Sequence, residues 1–157
     1  DLDEVMKLKK VILDIYSKNK DSKILILGRT NRVINELYND NELIDSIGTK
    51  LVYKGYNEIK IDAMTIHKSK GLTYDEVILL GLTNGFPNNK RGFWMLNVFR
   101  NEEVNEGILF AEERRVFYVA MTRTLNHLYM FVPKDVDKRS PYVKEICEII
   151  ANSTVDK

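Results

Sequence analysis

Lys23-Ile24-Leu25-Ile26-Leu27-Gly28, followed without a break by Arg29-Thr30-Asn31, is the stretch that decides the fold. Four successive branched apolar residues leave no alternation between a wet and a dry face. The segment therefore reads as a strand buried on both sides, the pattern of a parallel sheet covered by helices. Thr30 or Asn31 can cap a following helix whose inner face is Val33, Ile34, Leu37 and Tyr38. Glu76 to Leu82, with Val77-Ile78-Leu79-Leu80 at its centre, repeats the buried-strand pattern.

Outward from these strands the other elements fall into place. Val5, Leu8, Ile12 and Ile15 recur at helical spacing over residues 2–18, and Asn19 to Ser22 forms a polar break. Leu43, Ile44 and Ile47 suggest a second short helix ending at Gly48. Strands are expected near 50–54 and 59–65, the latter alternating Ile59, Ile61 and Ala63. Gly81 to Gly107, holding Gly85, Pro87, Gly92 and the single tryptophan, reads as a long irregular excursion. A helix over Glu112–Arg123, a strand over Leu128–Val132 and a helix over Tyr142–Ala151 complete the chain. Strands interleaved with helices predict an α/β fold, a mainly parallel sheet flanked by helices, in one domain spanning 1–157.

Composition narrows the class. With 157 residues, 44% hydrophobic and 30% charged, the chain has an ordinary globular balance. No apolar run approaches the roughly 18 residues of a membrane span. Cys147 is the single cysteine, so no intramolecular disulfide forms; it reads as a small packing residue on the last helix, and a cytoplasmic setting fits this usage. Two histidines and one cysteine, far apart, make no metal site. A net charge of +1 means that any nucleic-acid contact must come from local patches. The first residue is Asp1, which suggests an excised piece, whereas the polar ending Asn152 to Lys157 reads as a true terminus.

Two stretches carry chemistry. Thr65-Ile66-His67-Lys68-Ser69-Lys70-Gly71-Leu72 follows a strand, and loops at the carboxyl ends of parallel strands are where ligands bind. Gly71 lets backbone N–H groups approach a phosphate or sugar, Lys70 adds charge, and Thr65 and His67 offer side-chain hydrogen bonds. Glu112-Glu113-Arg114-Arg115 through Ala120-Met121-Thr122-Arg123 reads as a helix with an apolar middle, its glutamates at the positive end of the dipole. Arginine is the side chain suited to phosphate. Arg114 and Arg115 fit pairing with nearby carboxylates, while Arg123 stands at the helix end, where a fixed donor is useful. Arg29 follows a buried strand and is expected to converge with Arg123 on one ligand. Aromatic residues Phe93, Trp94 and Phe99, with Lys90 and Arg91, offer weaker material for base stacking and backbone contact.

With these segments in hand, the chain resembles the UvrD/Rep-like helicases of superfamily 1. Leu27 to Asn31 resembles motif IV, Met64 to Asp75 motif V, and Glu112 to Thr124 motif VI, in the right order over nearly the whole chain. About twenty residues (39–58) separate Tyr38 from Ile59, where some members insert a large domain. That spacing, with Val77 to Leu82 and Ser140-Pro141-Tyr142-Val143, points to the helicase IV-like branch. The resemblance implies a RecA-like, P-loop NTPase-type fold and the C-terminal motor domain of an ATP-dependent 3′–5′ DNA helicase. Arg123 and Arg29 are then expected as arginine fingers, Lys70, Gly71 and Thr73 as nucleotide contacts, and Thr65 and His67 as DNA contacts. Thr73 departs from the family pattern, in which many members carry a glutamate that meets the ribose.

Half of such a machine is missing. No glycine here is followed by lysine, so a Walker A loop is absent, and Asp75-Glu76 opens a strand where a Walker B acid would end one. The implied cofactor, ATP with magnesium, would be held mainly by an N-terminal RecA-like domain of the same polypeptide. The implied substrates are single-stranded DNA and duplex junctions, with no membrane. Two alternatives remain: a non-catalytic, helicase-like nucleic-acid-binding or RNA-polymerase-associated module, and the motor of a helicase–nuclease.

Overall fold

Ile24 to Gly28 is a strand whose five residues are all buried, as a run without polar interruption requires. The computed structural model that places it describes residues 2–38, 44–47, 50–53, 56–86 and 106–155. The elements in order are α1 (Leu2–Lys18), β1 (Ile24–Gly28), α2 (Asn31–Tyr38), β2 (Ile44–Ile47), β3 (Lys50–Tyr53), β4 (Tyr56–Thr65), a 3-10 turn (Ile66–Ser69) and β5 (Tyr74–Leu80). α3 (Glu106–Met121), β6 (Thr124–Met130), a second 3-10 turn (Val136–Lys138) and α4 (Pro141–Val155) follow. The residues group into two compact units, 1–81 with 120–131, and 82–119 with 132–157.

The first unit holds a six-stranded sheet in the order β2-β3-β4-β1-β5-β6. β4, β1, β5 and β6 run parallel, while β2 and β3 join antiparallel beyond β4, so the sheet is mainly parallel as expected. The parallel strands share a direction, which gives the sheet two distinct edges. Gly28 pairs with Thr65 and with Leu80, defining the carboxyl edge. Ile24 pairs with Ile61 and Glu76, and Tyr74 with Thr124, defining the amino edge.

Helical spacing turns Leu8, Ile12 and Ile15 of α1 and Ile34 and Leu37 of α2 onto one face of this sheet. There they meet Ile24, Ile26, Ile59, Ile61, Ile78 and Leu80 in a continuous core. Residues of the opposite face, Leu25, Leu27, Val77 and Leu79, are buried as well. Each such side chain contributes about 1.5–3 kcal/mol relative to exposure. Glu76 is the buried exception, at 8% side-chain exposure, and His127 Nδ1 lies 3.2 Å from both its carboxylate oxygens. β6 carries one extra residue against β5 between the Tyr74–Thr124 and Glu76–His127 pairs, a bulge at the sheet's border.

In the second unit Phe86, Phe117 and Tyr142 pack together, with ring centroids 5.5–5.8 Å apart. Each such pair adds roughly 0.5–1.5 kcal/mol beyond its buried area. Buried Ser140 donates its hydroxyl to the Phe86 carbonyl at 2.6 Å and its N–H to Leu82 at 3.0 Å, tying the turn at Thr83–Phe86 to the start of α4.

Four expectations need correction. Residues 44–47 form a strand and not a helix, because Ile44, Asp45, Ser46 and Ile47 pair antiparallel with Tyr53, Val52, Leu51 and Lys50. A short apolar run fits either period, and strand pairing decided it. The motif-bearing helix begins at Glu106 and ends at Met121, so Glu112 and Glu113 lie mid-helix, and Arg123 sits in the turn beyond it. Its middle is not apolar all round, since Tyr118 is 63% exposed. Cys147 is exposed, on turns of α4 that face water, and is no packing residue. The expected cap at Gly48 and the aromatic and basic residues Lys90, Arg91, Phe93, Trp94 and Phe99 lie outside the described residues.

Candidate functional site

Thr65 ends β4 at the carboxyl edge, and Tyr74 begins β5 at the amino edge, so the eight residues between them must travel the length of β1. β4 and β5 are parallel strands on either side of β1, so no tight turn can join them, and this crossover is the connection they require. Ile66 is fully buried, and buried Ser69 donates its hydroxyl to the Ile66 carbonyl at 2.7 Å. These two residues pin the 3-10 turn to the sheet, leaving His67, Lys68 and Lys70 exposed. Thr65 precedes the turn in extended conformation, with its hydroxyl not used as a cap.

Beyond Lys70 the chain turns at Gly71, whose φ of +85° is in the left-handed region. A Cβ there would meet nothing within 4 Å, so the requirement is conformational and the space around it is open. Leu72, Thr73 and Tyr74 then reach the amino edge. There Arg123 donates from Nη1 to the Leu72 carbonyl at 3.1 Å and from Nη2 to Thr122 Oγ1 at 3.0 Å. The Tyr74 N–H donates to the Arg123 carbonyl at 2.9 Å, and Thr124 Oγ1 donates to the Asp75 carbonyl at 3.2 Å. The end of motif VI and the end of motif V are laced together.

The predicted site residues thus separate along the sheet. Arg123 and Thr73 lie at the amino edge, and Lys70 and Gly71 lie within the crossover between the two edges. Arg29, directly after Gly28, shares the carboxyl edge with Thr65 and the neighbouring His67. The expected convergence of Arg29 and Arg123 does not occur. Gly28 pairs with Leu80 and Thr124 with Tyr74, and these rungs are six residues apart along β5, about 20 Å at strand rise. One phosphate cannot meet both arginines on this unit.

Arg114 and Arg115 pair as the sequence suggested. Arg114 Nη1 contacts the Glu145 carboxylate at 2.6 and 2.8 Å and lies over the Tyr142 ring, and Glu145 holds its ionisation above the ordinary arginine range. Arg115 contacts Glu112 at 2.7 Å across one helical turn, both side chains largely exposed. An exposed pair of that kind stabilises by about 0–1 kcal/mol and is readily exchanged for another anion.

Spacing did not reveal a cleft of about 540 Å³ at the amino edge, lined among others by Tyr16, Lys23, Glu58, Asp62, Thr73 and Tyr74. Tyr16 donates its hydroxyl to Glu58, and Tyr74 donates to Asp62 at 2.8 Å. Burial, then the bond to Asp62, pushes the Tyr74 hydroxyl up to about 12. Glu58, Lys60 and Asp62 alternate with the buried Ile59 and Ile61, a pattern any half-covered strand shows, so nothing in the sequence singles them out.

Among the described residues no group of three or more histidine, cysteine, aspartate or glutamate side chains could hold a metal ion, and no helix is long and apolar enough to cross a membrane. The later half of the crossover suits the phosphate and sugar portions of a nucleotide: an open glycine turn, exposed Lys70 and Thr73, and Arg123 beside Leu72.

Comparison with known proteins bears on the same elements. The family model described as the UvrD-like helicase C-terminal domain matches residues 2–135. The chain is 38% identical to DNA helicase IV of Escherichia coli over 101 residues, covering 62% of the chain and 14% of that protein. It is 38% identical over 78 residues to the putative ATP-dependent DNA helicase YjcD of Bacillus subtilis, covering 49% of the chain and 9% of that protein. Against the ATP-dependent DNA helicase Rep of Buchnera aphidicola it is 28% identical over 132 residues, 82% of the chain and 18% of that protein. The chain spans less than a fifth of the length of these relatives. Motifs IV and V on their parallel strands and motif VI leading into the last one accord with the family match, and the chain belongs to the UvrD-like helicase C-terminal domain family.

Proposed function

We propose that this chain is the C-terminal motor half of an ATP-dependent 3′–5′ DNA helicase, facing nucleotide with its amino edge and single-stranded DNA with its carboxyl edge. The observation that carries the reading is the crossover from Thr65 to Tyr74, which puts the two ends of one motif at opposite edges of the sheet. Towards the amino edge, Lys70, Gly71 and Thr73 meet the phosphates and sugar. Arg123 donates to the phosphate where charge develops, the role of an arginine finger. At the carboxyl edge, Thr65 and His67 contact the DNA strand. Arg29, directly after Gly28 at the same edge, joins them as a phosphate contact.

ATP with magnesium, bound mainly by an N-terminal RecA-like half of the same polypeptide, supplies the free energy by its hydrolysis. A segment pinned to the sheet by Ile66 and Ser69 transmits displacement from one edge to the other, which couples nucleotide occupancy to the grip on DNA. Separated strands and duplex junctions are the corresponding substrates.

The test separates the two edges in the full-length protein. Replacing Thr65 and His67 together by alanine should weaken single-strand binding while preserving turnover at saturating DNA. Arg123→Ala should do the reverse. Both variants losing DNA affinity alone would overturn the assignment of the amino edge to nucleotide. The isolated chain, lacking a Walker A loop, should show no DNA-stimulated ATP hydrolysis, and robust hydrolysis by it would refute the half-motor reading.

A further inference from the structure

Between Glu4 and Asp14 the sequence holds Lys7, Lys9 and Lys10 and no acid, and none of the motifs includes these lysines. Lys7 and Lys10 are exposed at i, i+3 on α1, so they are neighbours on its outer side, while Leu8, Ile12 and Ile15 are buried against the sheet. Among the described residues Lys10 makes no hydrogen bond or ion pair. Farther along, Lys18 pairs with Asp14 at 2.7 Å and Lys20 lies over the Tyr16 ring, so those two cations are engaged within the chain.

The direction of α1 decides where the lysines stand. Five residues, Asn19 to Lys23, link α1 to β1, and Tyr16 donates to Glu58, so the last turn of α1 is held at the amino edge. The helix therefore runs back over the sheet, with its first turns towards the carboxyl edge. From Lys18 back to Lys10 it rises about 12 Å, close to the roughly 13 Å that β1 rises from Ile24 to Gly28. Lys10 is thus level with Gly28, and Lys7, about 4.5 Å farther, overhangs the edge that carries Arg29, Thr65 and His67. Helical side chains lean towards the N-terminus, which here is towards that same edge. Arg32, exposed in the first turn of α2 on the same face of the sheet, adds a guanidinium. Its contact with Glu36 at 3.0 Å is an exposed pair, readily exchanged for another anion.

We propose that α1 and the start of α2 extend the DNA track, with Lys7, Lys10 and Arg32 binding backbone phosphates of the single strand as it passes beyond Thr65 and His67. This extension rests on the reading of the carboxyl edge as the DNA side. A single strand is the occupant because these cations prolong the row begun by Thr65, His67 and Arg29. Such contacts hold the backbone and carry no sequence preference.

The experiment titrates labelled oligothymidylates of increasing length, and a blunt duplex, with the full-length protein across a salt series. Lys7→Gln with Lys10→Gln should lower the single-strand slope of log affinity against log salt by about 1.4, two contacts at about 0.7 each. The same variant should lose the affinity gained on longer oligonucleotides and bind the shortest as the wild type does. Adding Arg32→Gln should lower the slope by about 0.7 more. Lys7→Arg with Lys10→Arg should retain both slope and length dependence. Lys18→Gln with Lys20→Gln, an equal loss of charge at the amino edge, should change neither. An unchanged slope in the Lys7 and Lys10 glutamine variant, an equal fall in the Lys18 and Lys20 variant, or a fall confined to the duplex would each overturn the proposal. If Thr65→Ala with His67→Ala weakens single-strand binding and the α1 variant does not, the extension fails and the carboxyl edge stands as the DNA side. If neither variant weakens it, the edge assignment itself fails.

Discussion

Arg123 grips Leu72 by its carbonyl, Nη1 to oxygen at 3.1 Å, and its own carbonyl accepts from the next-but-one residue, Tyr74, at 2.9 Å. A guanidinium so held is oriented before any ligand arrives, and orientation fixed in advance is what makes a donor effective at developing charge. In the full-length protein Arg123→Ala should lower kcat for ATP by about 10³-fold or more, the range for arginine fingers. Arg123→Lys should recover little, because an ammonium cannot reproduce the fork. Single-turnover hydrolysis with ATP binding measured in parallel checks both. A fall of less than tenfold, with a large fall in Arg115→Ala, would transfer the role to the exposed arginine on α3.

Arg29 belongs with Thr65 at the carboxyl edge, so its removal should act on DNA and leave nucleotide kinetics intact. For a single phosphate contact to one strand, Arg29→Ala should reduce the slope of log affinity against log salt by about 0.7. Fluorescence titration of a labelled oligonucleotide across a salt series measures it. An unchanged slope with slowed hydrolysis would return Arg29 to the nucleotide.

Among the described residues, the two glycines with left-handed φ differ in surroundings. Gly71 at φ +85° is in open space, whereas a Cβ on Gly81, at φ +75°, would lie 3.0 Å from Val33 Cγ2. Gly71→Ala should cost about 1–2 kcal/mol, the backbone penalty alone. Gly81→Ala should cost more, and Val33→Ala added to it should recover the difference in urea denaturation. Additive behaviour of that pair would rule out the contact.

Alkaline titration should expose the Tyr74–Asp62 bond. The folded Tyr74 keeps its proton up to about 12, above the ordinary value of 10.0, so between these values the native state binds more protons than the unfolded one. Its contribution is complete below about pH 10 and is lost as pH rises towards 12. Thermal melts from pH 9 to 11.5 should fall more steeply for the wild type than for Tyr74→Phe.

Much of the architecture was legible because buried parallel strands announce themselves. Ile24 to Leu27 and Val77 to Leu80 have no polar alternation, and α1 and α2 show their inner faces by spacing alone. Residues 44–47 were not legible, since Ile44 and Ile47 satisfy a helical and an extended pattern alike until β3 supplies a partner. The start of α3 was set too late because the paired glutamates looked like an N-terminal signal. Motifs supply the candidate site residues, but not their grouping. Whether Arg29 and Arg123 share an edge depends on strand direction and register, which no local pattern records. The cleft carboxylates were missed for a related reason: Asp62 and Glu58 gain meaning only from Tyr74 and Tyr16, twelve and forty-two positions away.

The extra residue in β6 has a consequence for how the molecule meets its own copies. An unbroken outer strand offers a row of donors and acceptors that invites another chain to extend the sheet. Here the ladder shifts after its first rung, Tyr74 with Thr124, and resumes only at Glu76 with His127, while Leu125 is 65% exposed. A foreign strand laid along this margin would fall out of step within three residues, so the irregularity guards solubility at a border that carries an outward leucine.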